Sequence, residues 1–348
     1  MSGVTPVPHR HKVREIAQQS GLSEATVDRV LHERPGVRAA TVAEVERAVE
    51  ELDRQASQLR LVGRTFLLDL VMQAPERFSA AVRSALEAEL PALRPAAVRI
   101  RFHLAEEADP AAMAGMLRKV RAKGSHGVLL KAPDHPAVEA EVAALHEAGI
   151  PVVTLVTDLP GSERRAYVGI DNRAAGATAA YLVARSAASG DVLVTLSRSD
   201  FRGEEQRVEG FVEALRTLAP GRDVVDLTDT DGLDATTLRA VQEALVAHPD
   251  VDAVYSVGGG NRATLDAFAR AGRTLGVFVA HDLDDDNTEL LRTRRISYVL
   301  HHDLRADARR ACRLVMQAHR ALPGVPSTVP AQVQVVTPYN QPSAFAPT

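Results

Sequence analysis

From Thr65 to about residue 337, short runs rich in Val, Ile and Leu alternate with longer amphipathic stretches. No other feature of the chain restricts its fold as much. A strand that returns through a helix to a second strand pairs with it in parallel, and a parallel sheet needs helices on both faces. The spacing predicts strands at 66–72, 98–104, 127–131, 151–156, 191–197, 224–227, 252–257, 275–281 and 296–300. It predicts helices at 76–90, 110–123, 136–148, 172–188, 204–218, 235–248, 262–271 and 304–319. So long a stretch exceeds one small sheet, which predicts two stacked α/β halves. A ligand would lodge between such halves, outside the carboxyl ends of the strands.

The first 60 residues show only helical periodicity. Val13, Ile16 and Ala17 recur at helical spacing, Ser20-Gly21-Leu22 breaks the run, and Ser23 suits the N-cap of a second helix. There Val27, Val30 and Leu31 form one face, while Glu24, Ala25, Asp28, Arg29 and His32 form the other. Pro35-Gly36 ends that helix, and Val45, Ala48, Val49 and Leu52 mark a third. Helix, glycine turn, helix, with a third helix behind, can push one helix into a major groove. The same trio also suits a packing hairpin. Residues 1–64 hold 10 Lys and Arg against 9 Asp and Glu, whereas the whole chain is at −4, so a slightly basic head precedes an acidic body.

Hydrophobic residues at 45% and charged residues at 25% suit a globular chain with a sizeable core. The single cysteine, Cys312, excludes an internal disulfide framework and a cysteine-cluster zinc site. Residues 1–12 lack the apolar core of an export signal, and Asp69 interrupts the 66–72 run, so a cytoplasmic protein without a membrane partner is expected. Neither a phosphate-binding G-x-x-x-x-G-K-[ST] loop nor a nucleophile elbow occurs, and Gly258-Gly259-Gly260 lacks dinucleotide-loop spacing. Residues 282–287 mimic the start of a calcium loop, but Asn287 and Thr293 stand where glycine and glutamate are needed, which predicts a solvated acidic loop. His9, His11, His301 and His302 could bind a metal, but His9 and His11 fall in an amino-terminal tail without fixed companions, and no metal site is assigned. No cofactor, metal or enzymatic activity is expected, and Cys312 reads as core.

The stretches Val13-Arg14-Glu15-Ile16-Ala17, Ser20-Gly21-Leu22-Ser23 and Thr26-Val27-Asp28-Arg29-Val30-Leu31, followed by Val37 and Thr41, resemble the amino-terminal signature of the lac-repressor (LacI/GalR) family. Val168-Gly169-Ile170-Asp171-Asn172-Arg173-Ala174-Ala175-Gly176 is similar to that family's effector-domain motif, and Arg207 and Asp282 fall where related periplasmic-type sugar-binding domains place sugar contacts. The resemblance implies an all-α helix-turn-helix head on an α/β type I periplasmic-binding-protein-like body of two Rossmann-like parallel-sheet subdomains. It divides the chain into a head at 1–52, a linker or hinge at 53–64, a two-lobed effector and dimerisation domain at 65–337 and a tail at 338–348.

It further implies a homodimeric transcription regulator, a repressor, bound to double-stranded operator DNA. DNA contact falls to Val13, Ser23, Glu24, Ala25, Thr26, Arg29 and His32. A small sugar or polyol effector would meet Asp171, Arg207, Asn261, Asp282 and His302, with stacking by Phe78, Phe201 or Tyr255 in a chain without Trp. The chain departs from the pattern at Asp28, where a Ser is usual, at His32, where an Asn is usual, and at 53–60, which lacks the Tyr-x-Pro-Asn entry to a hinge helix. Leu59 then either wedges into the minor groove or continues an amphipathic linker. The remaining alternatives are a cytosolic solute-binding protein and an α/β enzyme acting on a carbohydrate.

Overall fold

The computed structural model describes residues 10–342 apart from 198–199, 229 and 231–233, so His9 and the end of the tail lie outside it. The head consists of α1 (Val13–Ser20), α2 (Glu24–Leu31) and α3 (Ala39–Leu61). Gly21, at φ +68°, caps α1 in the left-handed region, and its N–H reaches the Ala17 carbonyl. Ser23 Oγ accepts the Thr26 N–H at 3.2 Å to start α2. Ile16, Ala17, Val27, Val45 and Ala48 close a small core of their own.

The expected linker is not a separate element. Residues 53–61 continue α3, which runs unbroken for 23 residues. No Gly or Pro interrupts 39–61, and Glu51 accepts from Arg54 Nε at 2.9 Å across one turn. His11 Nε2 meets Asp53 Oδ1 at 2.9 Å, tying the chain before α1 to the middle of that helix. Leu61 is buried in the core of the first lobe.

Lobe 1 is a five-stranded parallel sheet in the order β2-β1-β3-β4-β5, formed by β1 (Thr65–Gln73), β2 (Ala97–Ala105), β3 (Gly127–Lys131), β4 (Val152–Leu155) and β5 (Ala166–Val168). The helices α4 (Glu76–Glu89), α5 (Pro110–Lys123) and α6 (Pro136–Glu147) cover it. Lobe 2 is built from α7 (Asn172–Ala184), β6 (Asp191–Thr195), α8 (Arg202–Leu218), β7 (Val224–Leu227), α9 (Asp234–Ala247), β8 (Val251–Ser256), α10 (Asn261–Arg270), β9 (Val277–His281), α11 (Asp285–Arg292) and β10 (Tyr298–His301). The chain then returns to lobe 1 as α12 (Leu304–Ala318), which packs on the α4 side of the first core, and ends in lobe 2 as β11 (Gln334–Val336), antiparallel to β10. The second sheet has the order β11-β10-β9-β8-β6-β7. Three crossings therefore join the lobes, and Ile170 pairs with Ala331 where two of them run side by side.

The long strands and helices fall where the periodicity puts them, within a few residues. Two strands of three residues, β5 and β11, and the helix α11 do not follow from the pattern. The acidic run is not a solvated loop. Asp284 caps α11, accepting the Asn287 N–H at 2.8 Å, and Asp284 and Asn287 are both buried. Acids there sit at the positive end of a helix, which is why so polar a stretch is ordered.

Candidate functional site

Two surfaces stand out, one on the head and one between the lobes. On the head, Ser23, Glu24, Ala25, Arg29 and His32 are exposed on the outer face of α2, and Thr26 is half-buried beside them. Arg29 NH2 donates to the Pro35 carbonyl at 2.8 Å, an exposed bond that a DNA acceptor could replace. Asp28, an acid on a face that would meet phosphates, is not bare: Arg34 NH2 lies 3.3 Å from one carboxylate oxygen and His32 Nδ1 3.2 Å from the other. Val13 instead packs half-buried against the head core. Leu59 stands 75% exposed near the end of α3.

The cleft lies where the strands of both lobes end. From lobe 1 it is lined by Pro75, Arg77, Phe78, Lys131, Val156 and Thr157; from lobe 2 by Ser197, Phe201, Glu204, Arg207, Gly258, Gly259, Asn261, His281, Asp282, Asp284 and Asn287. Arg207 is 3% exposed. Its Nε donates to Asn172 Oδ1 at 2.8 Å, its NH1 donates to the Val257 carbonyl at 3.1 Å, and NH1 lies 3.9 Å from Asp282 Oδ2. Val156 (φ +66°) and Asp282 (φ +63°) hold left-handed conformations at the ends of β4 and β9. For a β-branched valine this is strained, and such strain gathers at binding sites. Thr157 Oγ1 accepts the Gly203 N–H at 2.9 Å and so joins the lobes at the cleft.

The charges of the cleft are set by burial and by each other. Burial works against the charge of Asp282, but His302 and Arg207 outweigh it and hold its carboxyl well below the usual range. Behind it, burial likewise works against a charge on His302, yet Asp282 and Asp307 prevail and raise the imidazole to about 9. His302 Nε2 is 3.6 Å from Asp282 Oδ1, and Nδ1 is 2.5 Å from Asp307 Oδ2 on α12 of lobe 1. Burial and Arg207 keep His281 neutral, with Nε2 2.8 Å from the Tyr255 hydroxyl. Burial brings the Lys131 ammonium down to about 8, against the pull of Glu204.

Because the folded His302 titrates near 9, above the ordinary 6.5, its stabilising charge is fully present below 6.5 and is lost as pH rises through 9. The difference in melting temperature between wild type and His302→Gln is therefore expected to shrink between about pH 7 and 9.5. Lys131 titrates in the same window but in both proteins, so it cancels from the difference. A gap that stays constant would mean that His302 is not charged in the fold.

Of the residues expected at the effector site, Phe78, Arg207, Asn261 and Asp282 come together in the cleft. Phe201 joins them, whereas Tyr255 is buried in lobe 2, stacked on Phe211 at 4.5 Å. His302 stands behind Asp282 rather than on the wall. Asp171 is not in the cleft. It is exposed and caps α7, accepting the Ala174 N–H at 3.0 Å, while its neighbour Asn172 turns inward to Arg207. The residue pattern missed Lys131, Thr157, Asn172, Glu204, Asn287 and the Arg77–Asp284 pair. Lys131 was findable, as a charged residue closing the apolar run 127–130.

The profile described as "Periplasmic binding protein domain" matches residues 70–321, and that of "Bacterial regulatory proteins, lacI family" matches residues 12–55. Ribose import binding protein RbsB of Escherichia coli (strain K12) is 28% identical over 149 residues, 42% of this chain and 50% of RbsB. The chain thus spans about half the length of the curated relatives it matches. GanP, a glucose-galactose binding protein from Geobacillus stearothermophilus, superposes with a TM-score of 0.71 at 20% identity, over 80% of this chain and 99% of its own. A solute binding protein from Burkholderia graminis, in complex with D-arabinose, gives 0.71 at 21%, over 81% and 98%. At that identity the likeness carries the fold.

Proposed function

The chain belongs to the periplasmic binding protein domain family and carries the helix-turn-helix of the lacI-family regulators ahead of that body; from that premise we propose that it is a transcriptional repressor whose hold on operator DNA is set by a sugar or polyol in the cleft. The carrying observation is the union in one chain of an exposed polar face on α2 and a two-lobed cleft whose inner wall is polar. The solute-binding alternative leaves that head without a role, and the family match points to binding and regulation rather than catalysis.

In this reading a homodimer sets one α2 in each half of a near-palindromic site. Ser23 and Thr26 serve phosphates at the helix start, Arg29 reaches a base edge or a phosphate, and Glu24, Ala25 and His32 complete the face. Hydroxyls of the effector exchange bonds with Arg207, Asn261 and Asp282, and Phe78 supplies an apolar wall. Effector binding selects one closure of the lobes. A coupling of about 1–3 kcal/mol between cleft and head changes DNA affinity roughly 5–150-fold.

The test is a gel-shift titration of the purified protein on DNA upstream of its neighbouring genes, with and without a panel of sugars and polyols. Specific binding that one of them shifts supports the reading, and no specific binding to any such duplex refutes it. Leu59 is assigned the minor-groove wedge, since so exposed a leucine gives the fold little. Leu59→Ala is expected to leave the melting temperature unchanged while lowering operator affinity about tenfold and reducing DNA bending, read by circular-permutation gel shift. Unchanged bending would reduce Leu59 to a linker residue.

A further inference from the structure

Among the described residues, every cation of the cleft wall but one has a carboxylate. Arg77 Nε lies 2.9 Å from Asp284 Oδ2, and Arg207 NH1 lies 3.9 Å from Asp282 Oδ2. Lys131, which closes β3 on the lobe 1 side, is only 6% exposed, yet none of the described carboxylates comes within 4.0 Å of its Nζ. It donates to the Gln73 carbonyl at 3.0 Å, and its Nζ sits 3.7 Å from the centre of the Phe201 ring of lobe 2. Glu204, the acid that acts on it most, accepts the Ser197 hydroxyl at 2.6 Å. A buried ammonium without an anion close by is costly, and a ligand carboxylate would relieve it through a charge-assisted hydrogen bond.

The lobe 2 wall has the opposite need. Asn287 Nδ2 donates to the carbonyls of His281 at 2.9 Å and Asp282 at 2.7 Å, which fixes its amide. Its Oδ1 therefore accepts from Asn261 Nδ2 at 2.6 Å, and Asn261 must present an oxygen with its remaining valence. That Asn261 Oδ1 is a buried acceptor with no donor among the described residues, whereas Asp282 Oδ1 turns back to the charged His302 at 3.6 Å. On one side of the cleft the unpartnered Asn261 oxygen stands beside the Asp282 carboxylate, both able to accept from ligand hydroxyls, and on the other, among the described residues, stands the one cation without a carboxylate beside it.

We propose that the effector is a sugar acid, a polyol with one carboxylate, whose hydroxyls donate to Asn261 and Asp282 and whose carboxylate meets Lys131. A single ammonium near Glu204 and Asp282 matches one negative charge and not a phosphate dianion. Lys131 is then the residue that separates acids from neutral sugars, an assignment that rests on the cleft being the effector site.

The experiment is calorimetric titration and thermal shift of the full-length protein with matched probes: D-glucose, D-galactose and D-ribose; D-gluconate, D-galactonate, D-glucuronate and D-galacturonate; and D-glucose 6-phosphate. At least one acid is expected to bind ten times more tightly than its parent sugar. Lys131→Met keeps an unbranched stem against Phe201, and it is expected to lose that acid by tenfold or more while its ligand-free melting temperature stays at or above wild type. A neutral sugar bound as tightly as its acid, or Lys131→Met holding the acid as wild type does, overturns the proposal and leaves the cleft as a sugar site. Preference for the phosphate ester overturns the carboxylate assignment alone. Silence from every probe of either charge overturns the cleft reading itself.

Discussion

Arg29→Ala is expected to remove specific operator binding. A guanidinium that reads a base edge is worth about 1–3 kcal/mol, so the proposed homodimer, losing two of them, is expected to weaken roughly 30-fold to more than 10,000-fold. The fold should not notice. Among the described residues the Arg29 side chain makes one hydrogen bond, an exposed one to the Pro35 carbonyl, and alanine is a better helix former. Fluorescence anisotropy on the operator and on a scrambled duplex, at several salt concentrations, separates two versions of the claim. If Arg29 reads a base, the operator loses affinity and the scrambled duplex keeps its weak binding. If it clamps a phosphate, both weaken together and the salt slope falls by about one for each contact. An alanine variant that binds the operator like wild type removes α2 from the groove.

Arg207→Ala is expected to damage both stability and sensing. The side chain is buried and serves Asn172, Val257 and Asp282 together. Deleting it removes one of the two cations that hold Asp282 and leaves Asn172 Oδ1 and the Val257 carbonyl without their buried donor, which together cost about 3–5 kcal/mol. At about 2–4 °C per kcal/mol for a body of this size, the melting temperature falls roughly 6–20 °C. Whichever probe stabilises wild type should then give no shift, because the cleft loses Arg207 itself and Asp282 loses one of the two cations that orient it. Arg207→Lys should recover little, since an ammonium cannot reach three acceptors from one plane. A fall of under about 2 °C with sensing intact would place Arg207 outside the site.

How much of this the sequence carries depends on what each residue must satisfy locally. Strands such as β3 are buried on both faces, so Val128, Leu129 and Leu130 form an unbroken apolar run that needs no partner to be recognised. The three-residue strands β5 and β11 exist only because β4 and β10 lie beside them, and a sequence window holds no trace of that. The helix α11 hid behind its own start, since Asp284, Asp285 and Asp286 have the composition of a solvated loop and the placement of a cap. The cleft follows the same division. Arg207 and Asp282 follow from the strand-end rule. Asp171 obeys that rule too, yet it is spent on capping α7, and the inward role falls one residue later to Asn172. Which of two adjacent polar residues points inward depends on the helix phase, and that phase is set by packing against α8.

The unbroken α3 has a mechanical consequence. Its last residue, Leu61, is anchored in lobe 1, and its amino-terminal half carries the head. At 1.5 Å per residue, 23 residues make a rigid shaft of about 35 Å. A tilt of roughly 10° at the anchored end sweeps the far end through about 6 Å, with no bond inside the helix broken. In the proposed homodimer two such shafts, pivoting beside Gly63 at φ +75°, would act as a pair of calipers, so that a modest rotation of the lobes would be amplified into a change of span the DNA can feel.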